Sequence, residues 1–153
     1  MMKIKIKVLP HRNKDLPLPQ YATEGSAAFD LVANESVVLH QGTLVTIGTG
    51  LAMEIPEGGY SLLLCSRSGL TANHGIIVLN APAVIDGDYR GELKVVLACV
   101  AFPNSPRLAP YHINVGDRIA QALLVPAIQT QFKIVEELSE TKRGSGGFGS
   151  TGR

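Results

Sequence analysis

Apolar and polar residues alternate along most of this chain. Ile4, Ile6 and Val8 interleave with Lys3, Lys5 and Lys7, a period of two that predicts an edge or half-exposed strand, its lysines discouraging pairing with another chain. Short aliphatic runs follow at Val37–Leu39, Leu44–Ile55, Tyr60–Cys65, Ile76–Leu79, Leu93–Ala101, Ile119–Val125 and Ile128–Val135. Gly, Pro, Asn and Asp separate them, and each run predicts a strand. An amphipathic period of 3.6 never persists beyond about two turns, and Ser68–Asn73 predicts one short helical turn. The pattern predicts an all-β domain: a barrel, sandwich or jelly roll. Near Glu136 the character changes. Residues 1–135 read as a compact body and residues 136–153 as a polar, glycine-rich arm.

Composition narrows the possibilities. A chain of 153 residues can bury one sizeable core, and with four Tyr, four Phe and no Trp that core must be mostly Val, Ile, Leu and Ala. The formal net charge is only +1, so no broad field recruits duplex nucleic acid or an anionic membrane, and any phosphate recognition must be local. No apolar run reaches the ~20 residues of a membrane span, and the N-terminus alternates where a signal peptide would have an apolar core. These features predict a soluble, cytoplasmic protein. Cys65 and Cys99 lie in strand-like apolar runs and read as reduced core thiols. His11, His40, His74 and His112 are scattered without metal-ligand spacing, which argues against a zinc site.

The segment from Arg143 to Arg153 holds five glycines, two arginines, three hydroxyls and one ring, Phe148. It cannot bury enough surface to fold alone, since freezing each residue costs roughly 1–2 kcal/mol, so it is expected to be mobile until a ligand orders it. Backbone N–H groups, guanidinium, hydroxyls and one stacking ring suit a nucleotide. Gly144, Gly146 and Gly149 match a GxGxxG pattern, and the segment nearly imitates a Walker loop. Both motifs need a following helix, and Arg153 stands where the Walker lysine would be, so neither reading holds.

Four polar clusters interrupt the strands of the body. Asp30 lies among apolar neighbours in Gly25–Ala33. Ser66-Arg67-Ser68-Gly69-Leu70 ends a strand with a guanidinium, a hydroxyl and a glycine able to bring backbone N–H to an anion. Asn80–Glu92 contains a hairpin signal with Asp86-Gly87-Asp88 as turn residues. Gly116–Gln121 reads as a turn entering a strand, with Gln121 available as an amide donor.

In order and spacing, these segments together with the arm resemble the five motifs of the trimeric dUTPase family, over nearly the whole chain from Pro17 onward. The resemblance implies a jelly-roll-like β-barrel, the dUTPase-like β-clip, with a flexible glycine-rich C-terminal arm, assembled as a homotrimer whose sites are shared among chains. It implies Mg²⁺-assisted hydrolysis of dUTP to dUMP and pyrophosphate, lowering dUTP and supplying dUMP for thymidylate synthesis. Asp86 would be the general base for the attacking water. Asn80, Val84 and Ile85 would face uracil and deoxyribose, and Tyr89 would pack under the sugar and exclude a 2′-hydroxyl. Lys94 matches a further substrate-lining position. Arg67, Ser68, Gly69 and Gln121 would hold the α- and β-phosphates; Arg143, Ser150 and Thr151 would reach the γ-phosphate, with Phe148 stacked on the base. The metal would sit on phosphate oxygens and waters, with Asp30 in an outer role.

Ala28 and Ala83 stand where the family has glycine, and Ser66 where it has proline. If position 83 requires a positive φ or a close backbone approach, the methyl group is expected to cost about 1 kcal/mol. The segment 101–110 is longer and richer in proline than the family's loop. Two alternatives share the resemblance: a dCTP deaminase or bifunctional deaminase/dUTPase, and a catalytically degenerate nucleotide-binding regulator.

Overall fold

The computed structural model describes residues 2–56, 58–100, 109–147 and Ser150. Among these, ten strands and one short helix appear in the order β1 (Lys5–Val8), β2 (Phe29–Val32), β3 (Val37–Leu39), β4 (Leu44–Glu54), β5 (Tyr60–Cys65), α1 (Ser68–His74), β6 (Ile76–Val78), β7 (Ala83–Ile85), β8 (Glu92–Cys99), β9 (Tyr111–Ile113) and β10 (Arg118–Pro126). One four-stranded sheet runs β1-β4-β8-β6 and a second β2-β10-β5-β7, with β3 and β9 forming a small pair. Every named pairing is antiparallel. The result is a jelly-roll-like, double-sheet all-β fold. No helix among the described residues is long and apolar enough to cross a membrane.

One apolar cluster draws on both sheets, with Ile47, Leu51, Leu93, Val95 and Leu97 from the first meeting Leu31, Leu62, Leu64 and Ile119 from the second. In β8 the alternation read from sequence holds, because Leu93, Val95, Leu97 and Cys99 face inward while Lys94 points outward. β4 departs from it. Residues 47–53 are buried throughout, since a register shift between Gly48 and Ala52 breaks the ladder with β8 and the Arg12 side chain lies across Gly50. A β-carbon at Gly50 would stand 2.6 Å from Arg12 Cβ, and its φ is +67°, so only glycine fits. Arg12 itself is buried, donates to the Thr49 and Pro17 carbonyls, and has its pKa lowered by that burial. Cys65 and Cys99 are free thiols, Cys99 buried.

Several expectations change. Residues 128–135 form no strand: regular structure ends at Pro126, and Ile128, Phe132 and Ile134 are 89%, 96% and 99% exposed. Three short strands, β2, β7 and β9, fall outside the apolar runs read from sequence, β2 and β9 being interrupted by Asp30 and His112. Asp86-Gly87-Asp88 is a turn but not a hairpin loop, since β7 before it belongs to the second sheet and β8 after it to the first. Ala83 lies in extended β7 with its methyl buried, so no positive φ is demanded there. The proline-rich stretch of residues 101–108 lies outside the described residues.

Candidate active site

The register of β10 assembles the first part of the site. Gln121 on this strand pairs with Asp30 on β2 on one side and with Cys65 on β5 on the other. Three segments scattered over about ninety positions of sequence thus meet across three adjacent strands, spaced about 4.8 Å apart. Asp30 is the hub. Its Oδ1 accepts from Arg67 Nε at 2.8 Å and its Oδ2 from Arg118 Nη1 at 3.2 Å, while Arg67 Nη1 also donates to the Arg118 carbonyl at 3.1 Å. The Asp30 and Arg67 side chains are about three-quarters shielded, so this pair is attenuated by solvent less than a surface ion pair. Gln121 Nε2 donates to the Ser66 carbonyl at 2.9 Å, which spends one of its two amide protons. Ser66 uses its hydroxyl to accept the Val78 N–H at 2.8 Å, a bond that a proline there could not offer.

Just beyond Arg67 the chain turns into α1, anchored by buried Leu70 and closed by Gly75 at φ +64°. Ser68 and Gly69 lie on its exposed first turn, and a β-carbon at Gly69 would meet nothing within 4 Å. That open space adjoins Arg67. On the other side of the cluster a cleft of about 460 Å³ is lined by Asp30, Arg118, Gln20 and Tyr21.

The second part lies at the far edge of the same sheet. β7 pairs with β5 so that Ala83 faces Leu64 and Ile85 faces Leu62, which carries Asp86 to the Tyr60 end of β5. Arg67 follows the opposite end. Four residues of strand separate the level of Asp86, beside Ser61, from Cys65, which is level with Gln121 and Asp30, about 13 Å at 3.3 Å per residue, and Arg67 follows two residues further on, about 20 Å away by the same rise. Asp86 is exposed and opens on a cavity of about 790 Å³ shared with Asp88, Arg90, Tyr60 and Ser61. The Tyr89 N–H donates to the Asp86 carbonyl at 3.1 Å, and the Tyr89 hydroxyl donates to the Glu92 carbonyl at 3.0 Å. Val84 is 59% exposed, Ile85 is half-buried, and Asn80 is exposed in the turn that precedes the cis Ala81–Pro82 bond.

Lys94 belongs to neither group. It projects from β8, 3.8 Å from Glu92 Oε2, into a separate cleft of about 240 Å³ with His11, Asn34 and Glu35. In the arm, Arg143 Nε donates to the Gly146 carbonyl at 2.8 Å, and the Ser150 N–H donates to the Gly147 carbonyl at 3.0 Å. These bonds are local to the arm. Phe148 and Thr151 lie outside the described residues.

Residues that the sequence reading did not single out also matter here. Arg118 was visible only as the middle of a turn-to-strand segment; its grip on Asp30 follows from tertiary register. Arg90 closes the Asp86 turn, donating from Nη1 to the Gly87 and Tyr89 carbonyls at 2.8 and 3.0 Å. Glu92 is partly buried, which works against its charge, but hydrogen bonds from His11 and the Gly50 N–H, with the nearby positive groups, leave its pKa below the usual carboxylate range.

This arrangement of segments coincides with a known family model: dUTPase, matched over residues 14–152. The chain belongs to the dUTPase family. It is 49% identical to the deoxyuridine 5'-triphosphate nucleotidohydrolase of Nautilia profundicola, over 99% of this chain and all of that protein. It is 47% identical to the protein of the same name from Helicobacter pylori strain J99, over 99% and 97%. Among solved structures, the dUTPase of Staphylococcus bacteriophage 80alpha with dUpNHpp superposes with a TM-score of 0.84 at 30% identity, covering 99% of both chains. A mutant dUTPase from phage phi11 of S. aureus, described as revealing the coordination of a structural Mg(II) ion, superposes at 0.74 with 26% identity, over 88% of this chain and 97% of that one. These relatives do not favour the deaminase alternative.

Proposed function

We propose that this dUTPase-family chain hydrolyses dUTP to dUMP and pyrophosphate, at sites that each combine the Asp30–Arg67–Gln121 cluster of one protomer with the Asp86 turn of another in a homotrimer. The observation that carries the shared site is the separation along β5, about 13 Å to the level of Asp30 and Gln121 and about 20 Å to Arg67, because a base and the phosphate ligands it works beside cannot lie that far apart. The exposed apolar row Ile128, Phe132, Ile134 and Leu138 beyond β10 supports an assembly, since such a segment has nothing to cover it within one chain's described residues.

In this reading Asp86 accepts the proton of the water that attacks the α-phosphorus. Asn80, Val84 and Ile85 read the base. A pocket whose polar groups are satisfied by uracil leaves buried groups unpaired with cytosine, which makes rejection strong. Tyr89 floors the deoxyribose. Arg67, Ser68, Gly69 and the second amide proton of Gln121 hold the α- and β-phosphates. The arm brings Arg143, Ser150 and Thr151 to the γ-phosphate and Phe148 to the base, and excludes bulk water as it closes. Lys94 would line the site only from a neighbouring protomer.

The donor set suits a magnesium ion carried by the substrate. Both Asp30 oxygens are engaged by guanidinium groups, and no cluster of three His, Cys, Asp or Glu capable of holding a metal occurs among the described residues. Mg²⁺ would therefore ride on phosphate oxygens and water, with Asp30 reaching it through water, and would supply neutralisation of the triphosphate charge. The reading is tested by pyrophosphate release from dUTP, dTTP, dCTP and UTP in parallel with Mg²⁺, with products identified. Conversion of dUTP to dUMP is expected; release from none of the four, or deamination of dCTP, would overturn it.

A further inference from the structure

The Asp86–Glu92 turn builds a seat for its own aromatic ring. Arg90 ties down the Gly87 and Tyr89 carbonyls, the Asp86 carbonyl takes the Tyr89 N–H, and the Tyr89 hydroxyl is held by the Glu92 carbonyl at 3.0 Å. Glu92 is fixed in turn, since its carboxylate accepts the Gly50 N–H at 2.8 Å and lies 3.1 Å from His11 Nε2. Between ring and carbonyl stands Gly91. A β-carbon there would lie 2.5 Å from Tyr89 Cζ, 3.0 Å from Cε2 and closer still to the hydroxyl oxygen.

Gly91 does not have the positive φ that makes glycine obligatory elsewhere in this chain, so its backbone is open to alanine. What a side chain would displace is the tip of Tyr89, a ring 43% exposed whose hydroxyl is bonded to the Glu92 carbonyl. The missing β-carbon is thus of little consequence to folding and of direct consequence to where the ring lies. By contrast, a β-carbon at Gly87 in the same turn meets only the Tyr60 carbonyl at 3.2 Å and leaves the ring alone.

We infer that Gly91, together with the Glu92 carbonyl, is a positioning element for sugar selection: it lets the Tyr89 ring lie flat against the backbone at the depth where a 2′-deoxyribose fits and a ribose does not. The inference rests on the sugar-facing role proposed for Tyr89. A methyl at position 91 pushes the ring out of its seat, loosens the floor under C2′ and gives the extra hydroxyl room.

The experiment compares the full-length protein with Gly91→Ala, Tyr89→Ala, the double variant and Tyr89→Phe. It measures kcat and KM for dUTP and UTP with Mg²⁺, and the melting temperature of each. Gly91→Ala is expected to lower the dUTP-over-UTP ratio of kcat/KM about tenfold, chiefly through a lower KM for UTP, with the melting temperature within about 3 °C of the parent. In the Tyr89→Ala background the same substitution should change the ratio by less than about twofold, because the ring through which it acts is gone. Tyr89→Phe, which keeps the ring but loses the Glu92 anchor, should lower the ratio by a smaller factor.

An unchanged ratio in Gly91→Ala, an equal loss in the Tyr89→Ala background, or a collapse in stability would each overturn the inference while leaving Tyr89 its role. If Tyr89→Ala itself keeps the parental ratio, the sugar-facing reading of Tyr89 is what fails, and the inference falls with it.

Discussion

The Asp30–Arg67–Arg118 cluster and the Asp86 turn sit on one sheet and are built by opposite means. The cluster is a product of register: segments distant in sequence bring their side chains together, and removing Asp30 leaves the partly shielded Arg67 charge without its partner. The turn is a product of adjacent residues, closed by bonds that span at most three positions. A locally built element keeps its shape wherever the chain carries it, so it can be presented to a neighbouring protomer. The cluster cannot be separated from its own barrel. That difference suits a site in which phosphate binding belongs to one chain and proton abstraction to another.

The sharpest way to break the comparison is at the base. Asp86→Asn should reduce kcat about 10³-fold, since an amide cannot take the water's proton, while binding of a non-hydrolysable dUTP analogue, measured by calorimetry, stays within a few-fold. Truncation after Lys142 should cost about 10²-fold or more in kcat/KM with little change in melting temperature, because the arm's bonds among the described residues are local. If the truncated chain melts much earlier, the arm is structural.

Mixing tests the sharing directly. Asp86→Asn and Arg67→Ala chains, each inactive alone, should regain about one quarter of the parental activity after co-refolding at equal amounts, because random trimers place intact halves together at that frequency. No recovery would place both halves in one protomer. Within the cluster, Arg118→Ala should lower kcat/KM about tenfold to a hundredfold, corresponding to about 1.5–3 kcal/mol for a charge-assisted hydrogen bond, and mainly through KM, since it orients Arg67 and not the water.

The smallest effect concerns Glu92. Its pKa is depressed in the folded chain, so its contribution to stability is present above the ordinary carboxylate value and disappears as pH falls through the lower, folded value. Glu92→Gln should therefore destabilise the protein by about 1–2 kcal/mol near pH 7 in denaturant titrations, with the difference shrinking below the ordinary carboxylate range. A constant difference across that range would show that packing, not charge, is what Glu92 supplies.

Much of this is legible in the sequence. The runs at Leu44–Ile55, Tyr60–Cys65 and Ile119–Val125 became β4, β5 and β10 with boundaries shifted by a residue or two, because long aliphatic runs can be satisfied only in the core. Ser68–Asn73 became α1. The failures share a cause. Ile128–Val135 has the composition of a strand but finds no ladder in its own chain, and β2, β7 and β9 have little apolar signal of their own, being held by pairing with β10, β5 and β3. Asp86-Gly87-Asp88 carries hairpin chemistry, yet whether a turn closes a hairpin or crosses between sheets depends on partners its sequence does not contain. Arg118 and Glu92 were invisible as site residues for the same reason: their partners lie 88 and 42 positions away.

The all-β class, the period of the core strands, the turn at Asp86 and the glycine-rich character of the arm are properties of neighbouring residues and so can be read along the chain. That Asp30, Arg67, Arg118 and Gln121 converge while Asp86 stands about 13 Å or more away along β5 follows from strand pairing across the whole sheet. Strand register is a choice among global packings, and it is made by which faces the whole core can bury at once.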